Sequence, residues 1–310
     1  MINLLYCANL GVFDGLMLSL TSAVMHTSSP LTVYIMTMDL RELHREYKPI
    51  TSHHADILEQ IIKRGNSKNR VVLIDATKIF YDRMKESKNL NTGYTPYTLL
   101  RLLACEAGLP SPVLYLDADT MFNDDISAIE QYDISEYELA GVVDYLGRKF
   151  ISKEYINAGV LYLNLCKINE TKLFERTLAL CSEKKMVFPD QDAINELVSY
   201  KLLLPRKFNE QHKWKKNTII QHFSKTIYFF PFFKVVNIKQ WQIELVQKVL
   251  KLRIYDSVYE QFRKDRKELG EAVLEPLQTY QPLTPGQQFK YSMQELKGYL
   301  IQNGGIFRKH

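Results

Sequence analysis

The sequence predicts an α/β fold, in which a mostly parallel, mixed sheet is flanked by helices and followed by a small helical C-terminal appendage. Three observations carry this expectation. Short apolar runs alternate with stretches of helical periodicity through the first half of the chain, the pattern of parallel strands joined by crossover helices. One of those runs, over residues 113–116 after Pro112, leads straight into Asp117-Ala118-Asp119, and open α/β sheets place their ligands at the carboxyl ends of central strands. From about Ile238 the composition turns helical and charged, punctuated by Pro276, Pro282 and Pro285, and the alternation ends there.

Taken in order, the apolar run over 3–7 reads as the first strand, and the periodic stretch 13–25 as the first helix. A strand over 32–37, a helix over 55–64 and a strand over 71–74 repeat the unit. A helix over 97–106 then leads to the strand over 113–116. Beyond the Asp pair, strands are expected over 138–143, 159–165 and 218–222, and helices over 172–184 and 191–200. Helices over 241–253, 255–267 and 287–302 make up the appendage. The expected division is therefore an α/β domain over 1–237 and the appendage over 238–310.

At 310 residues and 46% hydrophobic composition the chain can bury a large core. A net charge of +5 suits anionic substrates or lipid and is far from the basic extreme of nucleic-acid binders, so no nucleic-acid partner is expected. Cys7, Cys105, Cys166 and Cys181 are scattered without a Cys-x-x-Cys pair and mostly sit within apolar periodic segments, which favours buried free thiols in a reducing cytoplasm over zinc ligands or disulfides. The start lacks the basic region of a signal sequence, and no run of about 18 apolar residues marks a membrane span. No P-loop pattern is present.

A bare Asp-x-Asp is common in solvated loops. Here the preceding strand is apolar and about to leave the core, so Asp117 and Asp119 can share one hard cation instead of being stranded in apolar surroundings. Five segments in order then resemble glycosyltransferase family eight, the retaining nucleotide-sugar transferases that include bacterial lipopolysaccharide galactosyltransferases and glycogenin. They are Thr95-Pro-Tyr-Thr-Leu-Leu-Arg-Leu, Leu114-Tyr-Leu-Asp-Ala-Asp-Thr, Tyr155-Ile-Asn-Ala-Gly-Val-Leu-Tyr-Leu-Asn-Leu, Pro189-Asp-Gln-Asp-Ala-Ile-Asn and Gln221-His-Phe. The resemblance covers roughly residues 1–225 and implies a Rossmann-like GT-A fold.

It also implies that Asp117, Asp119 and His222 hold a manganese ion, with magnesium as the other candidate, bound to both phosphates of a UDP-sugar. Two carboxylates and one imidazole suit such an ion, which acts as Lewis acid and template; a core histidine at a strand end is the other reading of His222. By the same resemblance Arg101 contacts the donor diphosphate or sugar, a role for its permanently charged fork; the alternative is an arginine reaching to the surface past its apolar neighbours. Asp117, Ala118, Asp119, Asp144, Asn157 and Ala158 match donor-contacting positions, and Gly159 lets the chain approach closely.

Asp190 and Gln191 match the pair that recognises the transferred sugar and supports the reaction centre. The family lacks the nucleophilic carboxylate of retaining glycosidases, so Gln191 stands either as nucleophile or as electrostatic support for an oxocarbenium-like centre. Asp192 reads as a helix cap. Two departures stand out. Where the family carries Asp residues after its first strand, this chain has Cys7-Ala8-Asn9, with Asn9 left to bond the base. Where the family shows Gly-x-x-Lys-Pro-Trp after its His, this chain reads Ser224-Lys225-Thr226, so that Lys225 is the lysine at hand for the β-phosphate.

The implied activity is transfer of a hexose, galactose first and glucose second, from a UDP-sugar to a glycan acceptor on lipid or protein, with an α-linked product. The alternatives are a UDP-sugar hydrolase or a non-catalytic nucleotide-sugar binder. The tail over 289–310 mixes aromatic and basic residues, which suits either peripheral contact with anionic lipid at the inner face of the plasma membrane or packing on its own domain.

Overall fold

The structure, a computed structural model, describes residues 1–90, 95–228, 234–269 and 281–303, with side chains of the last stretch described through Gln294. In chain order the strands are β1 (Ile2–Cys7), β2 (Leu31–Thr37), β3 (Arg70–Asp75), β4 (Val113–Leu116), β5 (Thr120–Phe122), β6 (Leu139–Val143), β7 (Ile156–Leu163), β8 (Lys201–Leu203), β9 (Ile220–His222), β10 (Thr226–Tyr228) and β11 (Lys234–Val236). The helices are α1 (Phe13–His26), α2 (Ser52–Lys63), α3 (Thr77–Met84), α4 (Gly147–Phe150), α5 (Leu165–Thr171), α6 (Leu173–Glu183), α7 (Pro189–Leu197), α8 (Ile243–Lys248), α9 (Asp256–Leu269) and α10 (Pro285–Asn303).

Seven strands form the central sheet in the order β3-β2-β1-β4-β7-β6-β8. All run parallel except β7, which is antiparallel to both β4 and β6. Helices cover both faces, so the central strands read as continuous apolar runs rather than alternating ones; all eight residues of β7 are buried. Strand periodicity still sorts the side chains. Leu4 and Tyr6 of β1 pack with Leu16 and Leu20 of α1 on one face. Leu5 and Cys7 pack with Leu103, Phe174 and Ile194 on the other.

The C-terminal helices close onto the first of these faces. Val246, Tyr255, Val258, Tyr259 and Phe262 belong to the same apolar cluster as α1, and Arg266 pairs with Asp14 of α1. Arg64, just after α2, pairs with the buried Asp265 at 2.6 Å. Helix α10 grips the β10–β11 hairpin: the Val235 N–H donates to Ser292 Oγ (3.0 Å) and Gln288 Nε2 donates to Val235 O (2.8 Å).

Several expected elements take a different form. The segment expected as an α-helix over 97–106 is a 3-10 helix over Pro96–Leu103, whose buried leucines and Arg101 face neighbours on nearly all sides. The helix expected from 55 begins at Ser52, because the Thr51 side chain caps it ahead of the first apolar position. The strand expected over 218–222 is shortened to β9, which pairs antiparallel with β5 outside the main sheet. Only Ile243–Lys248 of the helix expected over 241–253 is helical. Helix α3, strand β8 and the β10–β11 hairpin were not expected. Among the described residues no helix is long and apolar enough to cross a membrane. In the tail, Phe289 is exposed, and residues 304–310 lie outside the described ones.

Candidate active site

The chain leaves β4 at Asp117, turns, and re-enters as β5, so the two carboxylates project from the end of a central strand. β5 pairs with β9 in the register Thr120 to His222, and this brings His222 to the same point from a hundred residues away. One ligand atom each from Asp117, Asp119 and His222 lies within 4.8 Å of the others. His222 Nε2 is 3.0 Å from Asp119 Oδ1 and 3.8 Å from Asp117 Oδ2.

A chain of amides fixes the imidazole. His222 Nδ1–H donates to Asn209 Oδ1 (3.2 Å), Asn209 Nδ2 donates to Asn157 Oδ1 (2.9 Å), and Asn157 Nδ2 donates to Asp144 Oδ2 (2.8 Å). With Nδ1 held in this way, Nε2 is left facing the carboxylates, the arrangement by which outer partners orient a metal-binding histidine. Asp144 in turn accepts the Leu146 and Gly147 N–H groups at the start of α4. Space at the centre is set by Gly159 in β7: a Cβ there would stand 2.2 Å from His222 Cε1 and 2.8 Å from Asp117 Oδ2.

Arg101 is buried and serves as the hub of the acidic groups. Its Nη2 donates to Asp117 Oδ1 (3.0 Å), its Nε lies 3.1 Å from Asp190 Oδ2 and also donates to Thr98 O, and its Nη1 donates to Ala158 O. The guanidinium sits 4.0 Å over the Tyr115 ring, and the Tyr115 hydroxyl donates to Asp117 Oδ1 (2.6 Å). Burial raises the Asp190 carboxyl above its ordinary value, with Arg101 pulling the other way. Gln191 Oε1 accepts the Ala158 N–H (2.8 Å), which ties α7 to β7 and points the start of α7 at the same space. Asp192 lies inside the first turn of α7, where it accepts the Phe188 N–H (2.9 Å) and the Tyr155 hydroxyl.

Asp119 is also paired with Lys239, whose ammonium donates to its carboxylate and to Phe223 O at 3.1 Å. Burial opposes charge on Asp119, but Lys239 and His222 outweigh it and hold the carboxyl well below the usual range. Burial likewise opposes charge on His222, and the Asp119 and Asp117 carboxylates reverse the sign and raise it. The donor set therefore draws positive charge to this point, as a divalent cation site must.

These groups face a cavity of about 580 Å³. Arg101, Asp117, Asp119, Asp144, Asn157, Ala158, Asp190, Gln191, His222 and Lys225 line it. Cys7, Ala8, Asn9 and Ala118 do not. Cys7, Ala8 and Asn9 are buried at the end of β1, and the Ala118 carbonyl accepts from Gln240 Nε2 at 2.6 Å.

Two site residues escaped sequence reasoning. Asn209 sits in no recognisable pattern. Lys239 had a signal, because Lys239-Gln240-Trp241 keeps the Lys-x-Trp of the family's Gly-x-x-Lys-Pro-Trp, displaced downstream by the segment carrying β10 and β11. Lys225 is exposed at the cavity's edge, and it is Lys239 that touches the acidic cluster.

The family model described as "Glycosyl transferase family 8" matches residues 3–242. A lipopolysaccharide 1,2-glucosyltransferase of Escherichia coli K12 is 34% identical over 131 residues, 37% of this chain and 39% of that protein. A second E. coli protein of the same description is 26% identical over 175 residues, 52% of this chain and 50% of that protein. The aligned stretch thus spans half or less of these relatives. Among solved structures, the bifunctional glycosyltransferase WbbM superposes with a TM-score of 0.63 at 14% identity over 86% of this chain and half of that one. An active-site mutant of LgtC does so with a TM-score of 0.61 at 15% identity, over 86% of this chain and all of that one. These likenesses show the GT-A fold.

Proposed function

The chain belongs to glycosyltransferase family 8, and from that premise we propose that it is a metal-dependent, retaining hexosyltransferase that moves a hexose from a UDP-sugar to a glycan acceptor. The observation that carries the reading is the meeting of Asp117, Asp119 and His222 at one wall of a cavity that Gln191 and Asp190 also line. Asp117, Asp119 and His222 would hold Mn²⁺ or Mg²⁺. When bound, the ion supplies charge neutralisation to the departing diphosphate. Lys239, released from Asp119, is the lysine for the phosphates, in place of Lys225.

Arg101 acts in this reading as a positioning residue. Its donors are engaged by Asp117, Asp190 and two carbonyls, and it sets the spacing between the cation site and the sugar-binding carboxylate. Asp190 and Asp144 accept sugar hydroxyls, and Gln191 supports the anomeric carbon on the face away from the leaving group. The bond from that carbon to the UDP oxygen breaks, a bond to the acceptor oxygen forms on the same face, and the acceptor proton passes to a phosphate oxygen. The product is α-linked. Cys7, Ala8 and Asn9, at the end of β1, fall to the nucleoside end of the donor. In the appendage over 238–310, the described helices α9 and α10 brace α1 and the β10–β11 pair.

Glucose and galactose are the candidate hexoses: the two sequence relatives are described as glucosyltransferases, and a solved LgtC as a galactosyltransferase. The acceptor is a glycan on lipid or protein, with the enzyme on the cytoplasmic side of the membrane. The test is UDP release from UDP-glucose, UDP-galactose and UDP-N-acetylglucosamine, with Mn²⁺ and with EDTA. Release from one hexose donor, abolished by EDTA, is expected. Metal-independent release, or a β-linkage in the product by NMR coupling, would overturn the reading.

A further inference from the structure

A second cavity, of about 590 Å³, adjoins the first and shares Gln211, His222, Ser224 and Thr226 with it as a common wall. Its size is in the range of small-ligand clefts. Its described lining includes Lys213, Lys234 and Lys251 and contains no carboxylate. Among the described residues none of the three lysines forms an ion pair, so the described lining carries net positive charge, with Lys213 and Lys251 exposed to solvent. An anion entering it gains attraction from all three, and that attraction falls with added salt.

The remaining lining suits a sugar ring. His212 stacks on Tyr145 (ring centroids 4.3 Å apart, planes 9° apart) and leans on Tyr228 at 4.6 Å; His212 and Tyr228 line this cavity and Tyr145 the donor cavity. Trp214 Nε1 and Gln221 Oε1, both from lining residues, are buried without a hydrogen-bond partner. Gln221 is 96% buried, with its amide nitrogen held by Glu210 O at 2.8 Å. A buried donor and a buried acceptor left unpaired are costly. Lys251 is held at φ 58°, a left-handed conformation that non-glycine residues adopt at a cost and that clusters at ligand sites.

We propose that this cavity binds an anionic sugar unit of the acceptor glycan, one bearing a phosphate or a carboxylate, and holds it beside the reaction centre. The proposal rests on the transferase reading for the word acceptor; the anionic sugar site itself does not.

The test separates the two. Fluorescence of Trp214 is followed on titration with methyl glucoside, its 6-phosphate, methyl glucuronide and inorganic phosphate. Trp214→Phe serves as the blank for the other tryptophan, Trp241. The 6-phosphate or the glucuronide is expected to perturb Trp214 saturably, with the neutral glycoside and free phosphate at least tenfold weaker. Which of the two charged sugars binds identifies the anionic group. The combined variant Lys213→Gln, Lys234→Gln, Lys251→Gln is expected to lose about tenfold in that affinity while keeping UDP binding, read by calorimetry, and its melting temperature. Equal binding of the neutral glycoside, equal binding of phosphate alone, or wild-type affinity in the combined variant would overturn the proposal. Charged-sugar binding in a protein that never releases UDP would remove the transferase reading and leave the site standing. Transfer to charged acceptors no faster than to neutral ones would overturn its assignment to the acceptor.

Discussion

Gly159→Ala tests the geometry of the cation site by adding a single methyl group. The new Cβ would lie 2.2 Å from His222 Cε1, where real contacts essentially never fall under 3.0 Å and ordinary ones begin at 3.4 Å, so one partner must retreat by about 1 Å. The strand cannot yield: Gly159 O accepts the Asp117 N–H at 2.8 Å, Gly159 N–H is held by Asn157 Oδ1 at 3.0 Å, and β7 is buried along its whole length. The ring must then swing away, breaking its 3.2 Å bond to Asn209 and carrying Nε2 off the carboxylates. Overpacking of this kind costs about 1–3 kcal/mol of stability. Misplacing a ligand by about 1 Å is expected to lower turnover roughly 100-fold. The assay pairs a Mn²⁺ titration with UDP release and a thermal melt. Gly141→Ala is the control, since its Cβ would meet Leu161 at 3.1 Å, far from the charged groups; it should cost stability without touching metal affinity. Wild-type Mn²⁺ affinity in Gly159→Ala would refute the reasoning.

Two further outcomes come from contacts at the cation site and a third from the Asp14–Arg266 pair. Asn209→Ala frees the His222 ring and should weaken metal binding by about 10- to 100-fold, measured by competition with a metal indicator; an unchanged constant would remove Asn209 from the site. Lys239→Met removes the ammonium that competes for Asp119, so Mn²⁺ alone should bind several-fold tighter while UDP with Mn²⁺ binds more weakly; both moving the same way would contradict the two roles given to Lys239. Burial raises the Asp14 carboxyl above its ordinary value, with Arg266 countering only in part. The folded protein thus favours the protonated form, and the stability it confers is lost as pH rises through the folded value. Urea unfolding should show Asp14→Asn gaining on wild type from acid to neutral pH; a variant that loses ground to wild type as pH rises would reverse the sign.

How far the sequence could be read follows from what each element needs. β1, β2 and β4 were legible because strands buried on both faces are mostly apolar along their length, and β4 announces its end with Asp117. The 3-10 helix before it was not, since eight residues of which seven are buried cannot separate a period of 3.0 from one of 3.6. β5 is three residues long, and it exists because β9 pairs with it, a contact spanning a hundred positions. The cluster of Asp117, Asp119, His222, Asp190 and Gln191 was legible through the family resemblance. Asn209 acts through one bond to a ring and leaves no pattern. Lys239 was hidden by spacing: an inserted hairpin moved the Lys-x-Trp beyond the window in which it was sought, and only the fold brings it back to Asp119.

The central claim is that Asp117, Asp119 and His222 form a divalent cation site built to hold a nucleotide diphosphate. Electron paramagnetic resonance of Mn²⁺ bound to the protein, with and without UDP, tests it most directly. Wild type should bind one Mn²⁺ with a spectrum that changes when UDP is added, and Asp119→Asn should lose both the binding and the change. Equal spectra for the two proteins, or tight UDP binding in EDTA, would contradict the claim.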